Sequence, residues 1–423
     1  VSPPSDRSHF GSSSETSGSR APRQHLSRSR GTGRTATMVC HTMRHVAALI
    51  GLPLCIWASE RVTIDNFLRA ESDSYMAKFV GLGALGKFVH AREVTKVDPS
   101  PESAPKHGQD VIRMNRDTLY SELVLDLATD ATVSFPDVGG RFLSLEFCSE
   151  THDIFPSKYT PGKYTMTQNG CGCEPPCRTV QSGAVCTAFG TPYAFVLLRT
   201  LADADNSSDI AEAHKAQDAF VVEQANIGKW ELPDWNHTEL AAIRKNLLEL
   251  KATSTMPTVF GFFTGPEKID HLYGILNVAA GWGGIRAEDQ SYVFWSSPGD
   301  SSSYTLTMPK VPVDGNGFWS ITVYNKEGFM FADPSNYNSA AQGSRGLNPD
   351  GTTTVRFGGC NDATRQVPSK AHCLPIQPGW GMVTRFFRPG KEVLDGSWTA
   401  PSPVRDSAVG ASAQPGHVDL NLI

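Results

Sequence analysis

The sequence predicts a mainly β protein with a helical insert: an α+β multidomain chain of two β-sandwich or jelly-roll-like modules bridged by two helices. Three observations carry this. Short segments alternate apolar and polar residues before position 204 and again after position 304, the period of a strand with two distinct faces. Between them the period lengthens to that of helices. The chain also holds 38 Gly and 28 Pro, a density of turn formers that suits many short strands. At 423 residues it exceeds what one core usually serves.

The N-terminal end precedes any such pattern. Residues 1–37 are dominated by Ser, Arg, Gly and Thr, cannot bury enough apolar surface to offset ordering, and are expected to be a disordered or non-native leader. Residues 38–58 follow, with Met38 or Met43 as a start, Arg44 and His45 as a basic stub, and the apolar run Val46 to Ala58. That run is too short to span a bilayer and fits a secretory signal peptide. No other stretch approaches membrane-span length, so no membrane span is expected.

Nine cysteines then bear on compartment. Cys171, Cys173, Cys177 and Cys186 crowd into one segment in the order C-x-C-x3-C-x8-C, which is no standard zinc finger. Cys360 and Cys373 bracket a polar loop and are expected to pair. In an exported protein such sets read as disulfides, and the expected location is extracellular or a secretory lumen. Sequons at Asn206 and Asn236 agree with that route. A net charge of −5 gives no reason to expect nucleic acid.

From Thr63 to Val80 the spacing predicts a helix, capped by Asp65. Strands are predicted over 118–126, in RFLSLEF, KYTMT and YAFVLLRTL, closing an N-terminal β-rich domain at 59–204. The bridge at 205–255 holds two helices, the first with Asp209 and Glu212 as a capping box, the second running through Leu240, Ile243 and Leu247. A C-terminal sandwich at 256–404 follows, with strands in YTLTM, FWSITVYN, TTTVRF, MVTRFFRP and SWTAP, and a disordered tail at 405–423. A helix is expected to begin at His271.

One motif invites a wrong reading. Gly81, Gly83 and Gly86 spell G-x-G-x-x-G, and Gly86-Lys87 nearly completes a phosphate loop. A nucleotide site needs a strand before the glycines and a helix after them; here a helix precedes them, and Phe88 stands where a hydroxyl would bind magnesium. A turn is expected. Neither H-E-x-x-H nor G-x-S-x-G occurs, so no metal and no cofactor is expected.

Several long motifs arrive in a recognisable order: VTIDNFLRAESD, MNRDTLYSELVLDL, HLYGILNVAAGWGG, VPVDGNGFWSITVYNKEGFM, FGGC with CLPIQPGW, and RFFRPGKEVLDGSW. Together, from about Val62 to Trp398, they resemble the paired domains of unknown function 1254 (N-terminal) and 1214 (C-terminal). The resemblance implies a β-rich, two-module protein with helical segments, usually exported, and supplies no reaction. The sequence departs from the pattern where Ile285-Arg286 follow Trp282-Gly283-Gly284, where TRFFRP replaces a more usual V-R-L-Y-R-P, and in the cysteine cluster, which resembles an insertion.

Arg113-Met114-Asn115-Arg116-Asp117 leads into the first predicted strand and is dense in groups that need partners if covered. Extended, Arg113 and Asp117 would share a face ~13 Å apart, too far to pair. Either a buried network fixes strand register here, or a cleft presents Asn115, Arg116, Asp117 and Tyr120 to a ligand. With Trp282 and Arg385 these are the candidate ligand-binding residues, for a polar small molecule or glycan in a cleft between or at the end of the modules. Aromatic planes suit sugar C–H surfaces and amides suit hydroxyls. Tyr324, Asn325, Asn336 and Tyr337 lie at the same predicted sandwich end. Catalytic candidates are His152, Asp153 and Asp117, for a hydrolase using carboxylates and a histidine as acid and base. The third reading is a structural or oligomeric surface protein.

Overall fold

The computed structural model describes residues 59–95, 113–173, 175–181, 184–204, 206–253, 271–299, 302–330, 339–341, 347–360 and 372–406. The expected leader, signal peptide and most of the tail lie outside these residues, as do Asn336 and Tyr337. Residues from Ser59 onward form one unit. It is mainly β.

Its N-terminal part opens with a helix, α1 (Phe67–Gly81), then strands β1 (Val89–His90), β2 (Thr118–Asp126), β3 (Ala131–Phe135), β4 (Leu143–Ser149), β5 (Ile154–Lys158), β6 (Gly162–Thr167), β7 (Cys177–Gln181), β8 (Ala184–Ala188) and β9 (Tyr193–Leu201). Helix α2 (Ser207–Asp218) and strand β10 (Val221–Gln224) complete it. Two sheets result, ordered β1-β2-β9-β4-β5 and β10-β3-β6-β8-β7. Leu123, Leu125, Leu145, Phe147, Val196 and Leu198 from the first meet Val133, Tyr164 and Met166 from the second in one core. The stretch expected as a purely helical bridge therefore returns a strand to this sandwich, with Val221–Gln224 pairing antiparallel to β3.

Helices α3 (His237–Lys251) and α4 (His271–Ala280) pack with α1 around Val62, Phe67, Trp235, Leu240 and Leu276. On its other side α1 sends Met76 against Val124, Phe195 and Tyr193 of the first sheet. This corrects the half-buried reading of β2: the alternation is present, but both faces are covered. Caps also differ. Asn66, not Asp65, stands at the α1 cap. Asn206 caps α2 through Ser208 and Asp209 N–H groups, which leaves the Asp209 carboxylate to take two bonds from Arg141 at 3.0 and 2.7 Å. An Asn at the cap outcompetes the expected box because its short amide reaches N2 and N3 together. Gly83 and Gly86, at φ +97° and +67°, form the turn after α1.

The C-terminal part contains β11 (Gln290–Ser296), β12 (Tyr304–Met308), β13 (Val313–Tyr324), β14 (Ser339–Ala341), β15 (Thr353–Phe357), β16 (Cys373–Leu374), β17 (Gly381–Pro389), a short helix α5 (Lys391–Leu394) and β18 (Val404–Arg405). Its sheets run β11-β17-β13-β14 and β16-β15-β12-β18. Trp295, Trp319, Ile321, Val323, Val355, Phe357 and Trp380 fill the core between them. The SWTAP segment is not a strand; Trp398 and Ala400 pack on this core instead, and the edge pairing passes to Val404–Arg405. Three disulfides hold the described chain: Cys171–Cys186, Cys173–Cys177 and Cys360–Cys373. Such bonds persist in oxidising compartments. Among the described residues no helix is long and apolar enough to cross a membrane.

The two sandwiches meet along their inner sheets. In the first, the antiparallel register sets Tyr120, Arg199 and Ser144 in one row. In the second it sets Tyr292, Arg385 and Ser320 in another. Phe142 packs edge-on against Phe318 and Phe387 across the seam, and Ser320 Oγ donates to Asp117 Oδ2 at 2.6 Å. The face of each sheet turned away from its own core thus carries a buried polar row beside apolar residues such as Val124, Phe318 and Phe387.

Candidate functional site

The Arg113–Asp117 segment is a turn, not an extended strand, which corrects the ~13 Å separation expected for it. Arg113 takes a left-handed φ of +58°. Its N–H donates to the Gly328 carbonyl at 2.8 Å, and its own carbonyl accepts from Arg385 Nη2. Asn115 Oδ1 accepts from the Asp117 and Thr118 N–H groups at 2.9 and 3.2 Å, while its Nδ2 donates to the Tyr120 hydroxyl at 2.7 Å. Short amide side chains close such turns by bonding their own backbone two and three residues on. Asp117 is buried, and its carbonyl accepts from Ala202 N–H at 2.9 Å. Arg116 is buried beside it.

Arg385 reaches this turn from β17. It donates to Thr322 Oγ1 at 3.1 Å and to the Tyr324 hydroxyl at 2.7 Å, and Tyr324 in turn donates to the Met114 carbonyl at 2.7 Å. One row deeper, Arg199 pairs with Glu146, which also accepts from Ser144 Oγ at 2.9 Å. Burial raises the Glu146 carboxyl above its usual range, and Arg199 pulls it back. Asn115, Asp117, Tyr120 and Arg385 are therefore brought into one buried network that ties the sandwiches together. Each bond found here is one a lone buried polar group would otherwise lack.

Trp282 stands elsewhere, after α4. Its ring stacks on Tyr75 at 4.8 Å, its Nε1 donates to Ser72 Oγ at 2.9 Å, and His152 meets it edge-on at 5.8 Å. His152 sits in the β4–β5 turn at φ +61°. Its Nε2 accepts from Gly283 N–H at 2.9 Å, so the ring proton belongs on Nδ1. Burial lowers its pKa to about 3, which keeps it neutral. Asp153 turns to different partners, Ser149 Oγ at 2.8 Å and Thr151 Oγ1 at 2.6 Å.

Nearby lies a group that periodicity did not reveal. Asp73 on α1 and Glu150 after β4 are both fully buried and face each other. Trp235 Nε1 donates to Asp73 at 2.9 Å, Tyr193 N–H donates to Glu150 at 3.0 Å, and half-exposed Arg69 lies 3.7 and 3.5 Å from the two. Burial, and then the Asp73 charge, push Glu150 up to about 8. One proton is shared between two carboxylates at neutral pH. The signal available in sequence was weak: a single carboxylate, Asp73, three residues before the apolar Met76 on the predicted helix.

A pocket of about 50 Å³ opens where the Arg113 turn meets the ends of β11 and β13. Arg113, Phe294, Ser296, Tyr324, Asn325 and Lys326 are among its lining residues. The Arg113 guanidinium lies over the Phe294 ring, 5.6 Å from its centre. Burial, with Arg385 adding to it, lowers the Arg113 pKa. The predicted site residues thus separate into two places, the seam and the Trp282–His152 cluster; none of the ligand-binding candidates lines this pocket, though Tyr324 and Asn325, noted at the predicted sandwich end, do.

The family model for a protein of unknown function (DUF1254) matches residues 94–224, ending with β10, and that for a protein of unknown function (DUF1214) matches residues 296–391. The chain carries a DUF1254 domain followed by a DUF1214 domain. No curated protein matches it. Among solved structures, the VPA0106 protein from Vibrio parahaemolyticus is similar at TM-score 0.58 and 15% identity, covering 80% of this chain and 98% of that one. A putative uncharacterized protein from Burkholderia cenocepacia matches at TM-score 0.41 and 12% identity, covering 77% and 84%. The first likeness shows a shared fold. The DUF1254 domain supplies the inner sheet with Tyr120 and Arg199; the DUF1214 domain supplies the sheet with Arg385 and most of the pocket.

Proposed function

We propose that this is an exported binding protein that takes a polar, saccharide-like ligand across the opening of the pocket at the end of the DUF1214 sandwich, beside the seam. The carrying observation is the pocket's lining: an aromatic ring at Phe294, an amide at Asn325, a hydroxyl at Ser296 and the cationic Arg113 and Lys326 around one opening. A ring for C–H surfaces and fixed polar groups for hydroxyls is what a sugar needs. Export draws support from the three disulfides and from the apolar run Val46 to Ala58.

The hydrolase reading draws less support. His152 is buried, neutral at physiological pH, and committed to Gly283. The test is a melting-shift panel of monosaccharides and sugar acids on the purified protein and on Ser296→Tyr, which fills the pocket. Binding predicts a saturable rise in melting temperature that the variant lacks. A flat panel, or a rise that Ser296→Tyr retains, refutes the site.

A further inference from the structure

The pocket carries charge of one sign. Arg113 and Lys326 line it, and among the described residues no Asp or Glu does. Lys326 is exposed at the mouth and lies 3.5 Å from Glu327, which is also exposed and outside the lining. Arg113 is the inner cation. No carboxylate bonds to its guanidinium among the described residues; its neighbour is the Phe294 ring. Directly behind it stands a second guanidinium, Arg385, bonded to the Arg113 carbonyl. Asp117, the buried carboxylate whose charge acts on Arg385, already accepts from Ser320 Oγ at 2.6 Å. Arg113 thus presents a guanidinium to the pocket with a second cation behind it.

The backbone shows that Arg113 is held rather than merely present. A left-handed φ is costly for a non-glycine residue, and persists where the surroundings over-determine it. Here bonds to Gly328 and from Arg385 fix both its N–H and its carbonyl. Its guanidinium lies over the Phe294 ring, 5.6 Å from its centre, and a guanidinium held against a ring can still offer N–H donors to an acceptor. A planar fork of donors matches a carboxylate in bidentate fashion. One inner cation balances one negative charge, so a monoanion fits better than a phosphate dianion.

We infer that the pocket selects a saccharide bearing a carboxylate, a uronate, with its carboxylate on the edge of Arg113, its ring against Phe294 and its hydroxyls toward Asn325 and Ser296. This rests on the reading of the pocket as the ligand site. Isothermal titration of the full chain with D-glucuronate, D-glucose and inorganic phosphate tests it. Arg113→Gly and Lys326→Gln serve as variants, each with its melting temperature recorded. Glycine accepts the left-handed backbone, so Arg113→Gly keeps the fold while removing the charge.

Glucuronate is expected to bind at least tenfold tighter than glucose, more weakly as salt rises, and at least tenfold more weakly to Arg113→Gly at unchanged melting. Lys326→Gln is expected to lose only severalfold. Glucose binding as tightly as glucuronate, and lost on Ser296→Tyr, overturns the uronate inference and leaves the site standing. Phosphate binding tighter than glucuronate also overturns it. Glucuronate binding that survives Arg113→Gly overturns the role of Arg113. No binding of either sugar to the wild type overturns both the inference and the reading beneath it.

Discussion

Replacing Glu150 by Gln should stabilise the protein, and more so as pH rises. Folding buries the Glu150 carboxyl against Asp73 and lifts its pKa from 4.5 to about 8. Between those values the folded state holds a proton that the unfolded chain has released. Stability is therefore fully present below pH 4.5 and falls as pH climbs toward 8. At pH 7 the linkage costs about 3 kcal/mol, from ~1.4 kcal/mol per tenfold in proton affinity. The glutamine side chain of Glu150→Gln does not titrate. Its carbonyl can still accept from Tyr193 N–H, and its amide can donate to Asp73 where the shared proton now lies. Unfolding entropy of roughly 2 cal/mol/K per residue converts 3 kcal/mol to about 4 °C for a unit of this size. Calorimetric melting of both proteins from pH 4.5 to 8.5 measures it. The gain should be near zero at pH 4.5 and widen upward. A constant difference, or a variant that melts lower at pH 8, would show that the two carboxyls do not share a proton.

Other perturbations have equally definite outcomes. Asp117→Ala leaves Ser320 Oγ and the Arg385 charge without their buried carboxylate and should cost about 3–5 kcal/mol in denaturant unfolding; Ser320→Ala, which removes one bond, should cost about 1 kcal/mol. Gly228→Ala places a Cβ 2.2 Å from Asp126 Oδ2 at a φ of +71°, so it should lower melting sharply where Gly139→Ala, with open space around it, loses only the backbone cost. Reduction with dithiothreitol should lower the melting temperature, the Cys171–Cys186 closure contributing about 3 kcal/mol and the four-residue Cys173–Cys177 closure less. Expressed from Met38 with its leader, the chain should be released to the medium or periplasm with a new N-terminus near Ala58, read by mass spectrometry; a retained, uncleaved chain would contradict export.

What sequence made legible was local. Alternation located β2, β4, β9, β12, β13 and β17 because a strand's period is set by its own backbone, and FWSITVYN shows it without help from any partner. Apart from the helix caps at Asn66 and Asn206, the failures are tertiary. β10 is only four residues, none of them buried, too short for its alternation to stand out, and it pairs because β3 offers it an edge. SWTAP alternates well, yet Trp398 finds Phe386 edge-on at 5.6 Å and packs there instead. The polar density at 113–117 was visible; its partners were not, since Asp117 meets Ser320 and the Arg113 carbonyl meets Arg385 across 203 and 272 positions of chain. A left-handed Arg113 carries no sequence mark at all.

That distance explains why the same stretch could be read as glue or as a site. Two sandwiches stacked through apolar faces could slide by a residue pair at little cost, because dispersion is non-directional. Directional bonds cannot. Arg385 satisfies Thr322, Tyr324 and the Arg113 carbonyl only in one register, and Asn115 closes its turn only with Tyr120 in reach. Polar pairs of this kind gain less stability than apolar packing would, and fix relative position in return. The consequence reaches the pocket. Arg113 ends that bonded chain, with its peptide groups engaged by Gly328 and Arg385 and its guanidinium over the Phe294 ring. The seam thus places a cation at the pocket with a geometry that neither module could hold alone. Loosening the seam with Ser320→Ala should therefore weaken any ligand of the pocket even though Ser320 does not line it.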